Sequence, residues 1–550
     1  MGRGLSLMNR DVHYRRVLIL FGLLFVIFSA LLVRLIIIQL CRYPEYSKMA
    51  AVQRQIPLVK NVLKGAFFDR HGKALRGTGE TWYLLIKKTT PFRRKLIAGK
   101  LGPLTAGNFE EKYSQNQEQS FWIYPKPLSN GQISAICSLG LPECKIVGGQ
   151  ARKDRYPGIA WHILGINDNA RGLSGLESLY QKFLYGAGNY GSIFTLNDGE
   201  KGYFPGLGLR FRSNPNPSGV VLTIDSRIQR IAEGVLDKHG ITGAIVILNA
   251  QSGEILAMCS RPILSPMGET SMENLPYLNR AISAYHPGSI FKLVTLSAGL
   301  DNGLLDPDEY FEDPGFYQIG DKRWRCITSN GGHGVISLTE ALAYSCNPVF
   351  IQIALRLKPK LILDYAERFG LDQPLNIGLQ DESWGKLPSG IGFSDGDVAN
   401  LVLGQGDVYT TPLQIASLIQ TIANEGIQCL PRLVLGTIQN GNEVSKLNPI
   451  SKKRIIKMET ACKVKEMMTA VVTFGTGKSA QLPRGAAGKT GTAQVNNDLG
   501  GPSHAWFAGF TPVDRPKYVA VIFCEQGSSG AESAAPLFKE VMEKVTKLAD

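Results

Sequence analysis

Ser289 and Lys292 stand three residues apart in the run His286-Pro287-Gly288-Ser289-Ile290-Phe291-Lys292. That spacing places a hydroxyl and an amine on one face of a helix. A serine hydroxyl is a weak nucleophile until a base takes its proton, and lysine is that base only when burial or a neighbouring cation lowers its pKa. Pro287-Gly288 reads as a turn before an apolar helical pattern from Ile290 to Leu300, so Ser289 is expected to begin a helix. There the first N–H groups and the positive end of the dipole favour developing negative charge. Ser345-Cys346-Asn347 follows. Its hydroxyl suits proton relay to a leaving amine and its amide suits a peptide backbone. An ordinary Ser/Asn-Pro turn is the rival reading. The third element is the small, glycine-rich stretch Gly485 to Gln494, with Lys489-Thr490-Gly491-Thr492 at its centre. It reads as an edge strand against which an extended peptide lies. Lys489 and Thr490 would hold a carboxylate, and Lys489 is also a cationic neighbour for Lys292. Gly491 would allow close approach, and the N–H groups of Thr492 and Ser289 would form an oxyanion hole. A lone Ser-x-x-Lys arises often by chance; three elements in this order do not.

The ordered set S-x-x-K, S-x-N and K-T-G, with S-C-N in the middle, resembles the class B penicillin-binding proteins, the monofunctional peptidoglycan D,D-transpeptidases. The likeness covers most of the chain. Thr223 to Gln229, Gly243 to Leu248 and Gly253 to Met258 resemble the opening helix and first hairpin of that transpeptidase fold. Gly404-Gln405-Gly406 with Thr411-Pro412-Leu413-Gln414 resembles a further block, and His504 to Phe510 and Lys517 to Cys524 read as successive antiparallel strands before a helical pattern from Ala534 to Leu548. Lys64 to Gly72 and Gly172 to Glu177, with Tyr180 and Leu184, resemble blocks of the family's non-catalytic pedestal, although Lys64 stands where arginine is usual. Residues 85–165 match nothing nameable.

The resemblance implies an α+β fold: a transmembrane helix, an extended pedestal, and a transpeptidase domain with a central antiparallel sheet flanked by helices. It implies cross-linking of stem peptides through a serine acyl-enzyme, inhibition by β-lactams, and no cofactor for catalysis. Ser289 would be the nucleophile, Lys292 the base, Ser345 and Asn347 the relay and backbone anchor, and Lys489 with Thr490 the carboxylate site. The stretch from Phe311 to Gly334 is more like the elongation-type enzymes, penicillin-binding protein 2, than the division-type. That implies, besides stem peptides and lipid-linked glycan strands, a partner glycosyltransferase of the shape, elongation, division and sporulation class.

With 550 residues, two or three domains are expected. Val17 to Val33, extended by Leu35 to Leu40, is long enough for a membrane helix, and Arg3, Arg10, Arg15 and Arg16 precede it. A removable signal peptide is the rival, but no small-x-small cleavage site follows. The division expected is a cytoplasmic tail at 1–16, an anchor at 17–40, a pedestal at 41–215 and a transpeptidase domain at 216–550. The catalytic part would lie outside the bacterial cytoplasmic membrane. A net charge of +14 is dispersed along the chain and suits anionic envelope polymers, although a merely soluble basic surface explains it equally. No nucleic-acid module is recognised.

Nine cysteines imply no dense disulfide framework, and most are expected to be buried small hydrophobes. Cys326, His333 and Cys346 stand out beside the second motif, with Asp313 and Asp321 upstream as oxygen donors. Two thiolates, an imidazole and a carboxylate suit a structural zinc. A Cys326–Cys346 disulfide or unpaired thiols are the simpler alternatives. Two further functional readings share the serine motifs: a β-lactamase, which needs a second base to activate water, and a membrane-bound β-lactam sensor, for which 16 residues before the span leave no cytoplasmic signalling domain.

Overall fold

The computed structural model describes residues 4–548 apart from 54, 63–64, 106–108, 110–112, 114–120, 125, 168–171, 185–189, 197–208, 213–217, 265–274, 327, 329–330, 390–391, 440–443, 447–450 and 495–502. Lys64 lies outside the described residues. The chain forms two compact units that are discontinuous in sequence. One comprises residues 1–62, 80–150 and 190–213, and the other 63–79, 151–189 and 214–550. Two of the crossings between them fall within strands, Ala74–Lys87 and Cys144–Asp154.

The first unit begins with the helix Gly4–Ile36, and the stretch Tyr14–Cys41 is long and apolar enough to cross a membrane. Its described core gathers Leu84, Ile86, Ile97, Leu101, Trp122 and Ile136, with Phe109 edge-on to Trp122 at 5.3 Å between ring centres. All of these but Leu84 fall within residues 85–165, the stretch that resembled nothing by sequence.

The second unit is built on a five-stranded, wholly antiparallel sheet. In chain order its strands are β1 (Gly243–Asn249), β2 (Ile255–Arg261), β3 (Ala487–Gln494), β4 (Ser503–Thr511) and β5 (Tyr518–Gly527). In space they run β2-β1-β5-β4-β3. Seven helices position the site: α1 (Ser226–Lys238), α2 (Lys292–Asp301), α3 (Leu338–Ala343), α4 (Asn347–Leu357), α5 (Pro412–Ala423), α6 (Met458–Thr473) and α7 (Ala535–Thr546). Residues 243–248 of β1 are buried on both faces, which is why Gly-Ala-Ile-Val-Ile-Leu reads as a continuous apolar run. Ile245 and Ile247 pack in one cluster with Ala232 and Val235 of α1 and Phe538 of α7. Val246 and Leu248 pack in the other, with α2, α5 and α6. Every residue of α5 is buried, so its all-round apolar sequence marks a core helix. Its start is fixed by a capping box in which Thr411 and Gln414 exchange side-chain to backbone bonds. The antiparallel sheet flanked by helices, the hairpin and the closing helix agree with expectation.

Candidate active site

Ser289 is set in a tight turn. Gly288–Phe291 is a 3-10 helix, and α2 begins only at Lys292, so Ser289 lies in the turn that leads into the α-helix and not within it. The cause is local packing. Gly288 adopts φ +58° and donates its N–H to Gly404 O at 3.1 Å. A Cβ on Gly288 would meet Thr492 O at 2.6 Å, and one on Gly404 (φ +63°) would meet Gly288 O at 2.2 Å. Two glycines, 116 positions apart by number, therefore let the turn, the Gly404 loop and strand β3 close on one another. Ser289 is half-buried.

Lys292 and Lys489 are fully buried. Lys292 Nζ donates to Ser345 O at 2.7 Å, to Asn347 Oδ1 at 2.8 Å and, more weakly, to Ser345 Oγ at 3.3 Å. Lys489 Nζ donates to the same Ser345 Oγ at 2.8 Å and to Thr490 O at 3.1 Å. Burial pulls the Lys292 ammonium down to about 7, although the adjacent Cys346 and Cys326 act in the opposite sense. Lys489 is held well below the ordinary lysine value, first by burial and then by repulsion from Lys292. Two amines sharing one hydroxyl cannot both stay charged, which makes a neutral lysine base available near pH 7. Ser345 takes φ +57°, a left-handed conformation costing about 1 kcal/mol in a residue with a Cβ. It does so where α3 ends, with the N–H groups of Ser345 and Cys346 bonded back to Leu342 and Ala341. Asn347 starts α4, and its Nδ2 donates to Arg325 O at 3.2 Å.

β3 is an edge strand, as its composition predicts. Thr490 is buried, its hydroxyl 2.7 Å from that of Thr476. The Thr492 hydroxyl accepts from the Gly530 N–H at 3.2 Å. Gly491 has a role that sequence reasoning missed. A Cβ there would meet Pro287 O at 2.8 Å and the Ile290 and Trp506 side chains at 3.1 Å, so the glycine lets the protein pack on itself beneath the Ser289 turn. Thr476 was missed as well. Its signal was a hydroxyl between two glycines in Gly475-Thr476-Gly477, thirteen positions before Lys489.

Beside the cleft, Asp313, Cys326, His333 and Cys346 offer ligand atoms that all lie within 4.8 Å of one another. His333 Nδ1 is 2.7 Å from Asp313 Oδ2 and 3.2 Å from Cys326 Sγ, and the His333 N–H donates to the same carboxylate oxygen at 2.9 Å. Burial works to raise the Asp313 pKa, but hydrogen bonds from Cys326, Gly315 and His333 prevail and hold it at about 2. A hydrogen bond from Cys346 draws the Cys326 thiol down to about 7. Tyr344 stacks flat on the His333 ring, 4.9 Å away. Asp321, the other oxygen donor considered, is exposed on a turn and takes no part. The nine cysteines are all free thiols, so the Cys326–Cys346 disulfide is not formed.

A half-buried serine in the turn before a helix, two buried amines sharing a second serine and a sheet-edge strand are the groups that a serine acyltransferase needs. The penicillin binding protein transpeptidase domain family matches residues 243–543, more than half of the chain. PbpB of Mycobacterium tuberculosis is 32% identical over 548 residues, covering 90% of this chain and 79% of that protein. PbpB of Mycolicibacterium smegmatis is 34% identical over 427 residues, with this chain spanning 65% of its length. The peptidoglycan D,D-transpeptidase MrdA of Haemophilus influenzae is 27% identical over 611 residues, covering 97% of this chain and 92% of that protein. Among solved structures, penicillin binding protein 3 of Mycobacterium tuberculosis in complex with aztreonam superposes with a TM-score of 0.64 at 25% identity, covering 89% of this chain and 97% of that one. The chain belongs to the penicillin-binding protein transpeptidases. Within them it is a class B enzyme, a peptidoglycan D,D-transpeptidase.

Proposed function

We propose that Ser289 attacks the carbonyl of the penultimate D-alanine of a stem peptide, with neutral Lys292 taking the hydroxyl proton. The N–H groups of Ser289 and Thr492 receive the oxyanion. The tetrahedral intermediate collapses, and the terminal D-alanine leaves as an amine, protonated through Ser345 Oγ. The acyl-enzyme ester is then attacked by the amine of a neighbouring stem. That amine loses its proton along the same path, and Ser289 regains its own. Asn347 holds the donor backbone, while Lys489, through Ser345 and Thr490, serves the carboxylate site with Thr490, Gly491 and Thr492. A β-lactam enters by the same attack on its ring carbonyl. The convergence of Lys292 and Lys489 on Ser345 Oγ, at 3.3 and 2.8 Å, carries this reading. The test is release of D-alanine from a pentapeptide stem in the presence of an acceptor stem. Ser289→Ala should abolish it while circular dichroism stays unchanged; continued release would remove Ser289 from its role.

Residues 41–215 act in this reading as the pedestal and 216–550 as the transpeptidase domain. The apolar stretch within Tyr14–Cys41 anchors the enzyme in the bacterial cytoplasmic membrane. The arginines before it keep residues 1–16 inside and the catalytic domain outside. The alignment with MrdA over 97% of the chain supports the elongation-type reading and, with it, a membrane glycosyltransferase partner of the shape, elongation, division and sporulation class.

Catalysis uses no cofactor, but the Asp313, Cys326, His333 and Cys346 set fits a structural zinc. One oxygen, one nitrogen and two sulfurs already lie within 4.8 Å of one another, so small side-chain shifts would bring all four to a tetrahedral ion with bonds of about 2.0–2.3 Å. Zinc there would cross-link the segment 313–333 to the loop that carries Ser345 and Asn347. Elemental analysis of the full chain, purified without chelator, should find about one zinc per chain, lost in Cys326→Ser; no zinc in the unaltered enzyme would exclude the site.

A further inference from the structure

Thr476 lies outside the three motifs, yet it touches both arms of the site. Its N–H donates to Ala343 O at 3.0 Å and its hydroxyl lies 3.4 Å from the same oxygen, two residues before Ser345. On its other side the hydroxyl is 2.7 Å from Thr490 Oγ1 on β3. The turn that carries it is seated firmly. A Cβ on Gly475 would meet Ala343 O at 2.2 Å, and Gly477 donates its N–H to Val471 O at 2.9 Å.

From this arrangement we propose that Thr476 is a positioning residue that turns Thr490 into a hydrogen-bond donor for the substrate carboxylate. The inference rests on the reading that Thr490 receives that carboxylate. It follows from counting protons. Each hydroxyl has one proton to give and can accept others. In the free enzyme Ala343 O is a fixed acceptor, so Thr476 points its proton there, and Thr490, nearly enclosed, gives its own to Thr476. A carboxylate arriving at β3 accepts only. Thr490 must swing its proton to the carboxylate, and its oxygen then keeps a partner only if Thr476 reverses and donates to it. The bond Thr476 gives up is the long one, at 3.4 Å, and Ala343 O keeps the Thr476 N–H. The short Thr476–Thr490 bond is made in both states with its direction inverted, and a hydroxyl that accepts is a better donor. Valine at 476 keeps the branched shape but has no proton to give. Serine keeps the relay.

The test compares benzylpenicillin with its methyl ester, which lacks the charged carboxylate, as acylating agents of the full-length enzyme. Thr476→Val should lower the second-order acylation rate for the acid by about tenfold, the scale of one lost hydrogen bond, and leave the ester within about twofold. Thr476→Ser should restore the preference for the acid. Equal losses on acid and ester would show a general disturbance of the site and overturn the proposal, as would no loss on either. Thr490→Val separates the two levels of the claim. If it leaves the preference for the acid intact, the carboxylate reading itself falls. If it removes the preference while Thr476→Val does not, only the role of Thr476 falls.

Discussion

Ser345 and Asn347 face the buried amines of the cleft, whereas Cys346 between them belongs to the Asp313–Cys326–His333 cluster. The cleft is a set of nitrogens and hydroxyls in which burial removes charge and leaves amines ready to take protons. The cluster gathers a carboxylate, an imidazole and two sulfurs, a set suited to holding something still. One tripeptide is the hinge of both. The left-handed Ser345 backbone is what sends consecutive side chains to such different company. The loop is therefore held from both sides, by Lys292 on Ser345 O and Asn347 Oδ1 in the cleft and by Cys346 buried in the cluster.

The sharpest way to break this contrast is Lys292→Met, which leaves the cluster intact and removes the proposed base. Acylation by benzylpenicillin should fall by about 10³–10⁴-fold with little change in melting temperature. A loss below about tenfold would mean that Lys489 supplies the base. Gly404→Ala attacks the cleft through its backbone. A methyl group 2.2 Å from Gly288 O at φ +63° should cost about 2–4 kcal/mol in denaturant unfolding and slow acylation; an unperturbed variant would show that the turn relaxes freely.

The proton inventory of the cleft predicts a smaller effect. Only neutral Lys292 accepts a proton, and with a pKa of about 7 its neutral fraction rises from about a tenth at pH 6 to about nine-tenths at pH 8. Acylation should therefore increase about tenfold across that window, and a profile rising only above pH 9 would deny the burial effect. The smallest effect on chemistry belongs to the cluster. Cys326→Ser should lower the melting temperature by about 2–4 °C while acylation changes less than about threefold, because the cluster supports the loop and touches no reacting atom. A large loss of acylation at unchanged stability would merge the two regions into one functional unit.

The gathering of Lys292, Ser345, Asn347 and Lys489 was legible because each motif spans four residues or fewer and its spacing maps directly onto a turn or a strand. The edge position of β3 followed from its small, glycine-rich composition, and the hairpins from apolar runs and turn residues, as with β1 and the Thr511 to Asp514 turn between β4 and β5. What sequence alone could not show was packing between distant segments. Gly404 against Gly288, Gly491 against Pro287 and Thr476 against Thr490 have no periodicity to betray them. The cluster was legible as a candidate set of Asp313, Cys326, His333 and Cys346, and what the sequence did not show was the antiparallel register that sets Asp313 opposite Gly334, next to His333. Ser345 carried no signal of a positive φ, since the residue type rarely adopts one.

The most direct test of the central claim is intact-mass spectrometry of the full-length enzyme with benzylpenicillin, followed over hours, with peptide mapping of the product. The account predicts a single adduct of one penicillin per chain, on Ser289 and stable over that time. An adduct that clears within seconds while excess penicillin is hydrolysed would contradict it in favour of a β-lactamase, and no adduct at all would contradict the assignment of Ser289 as a nucleophile.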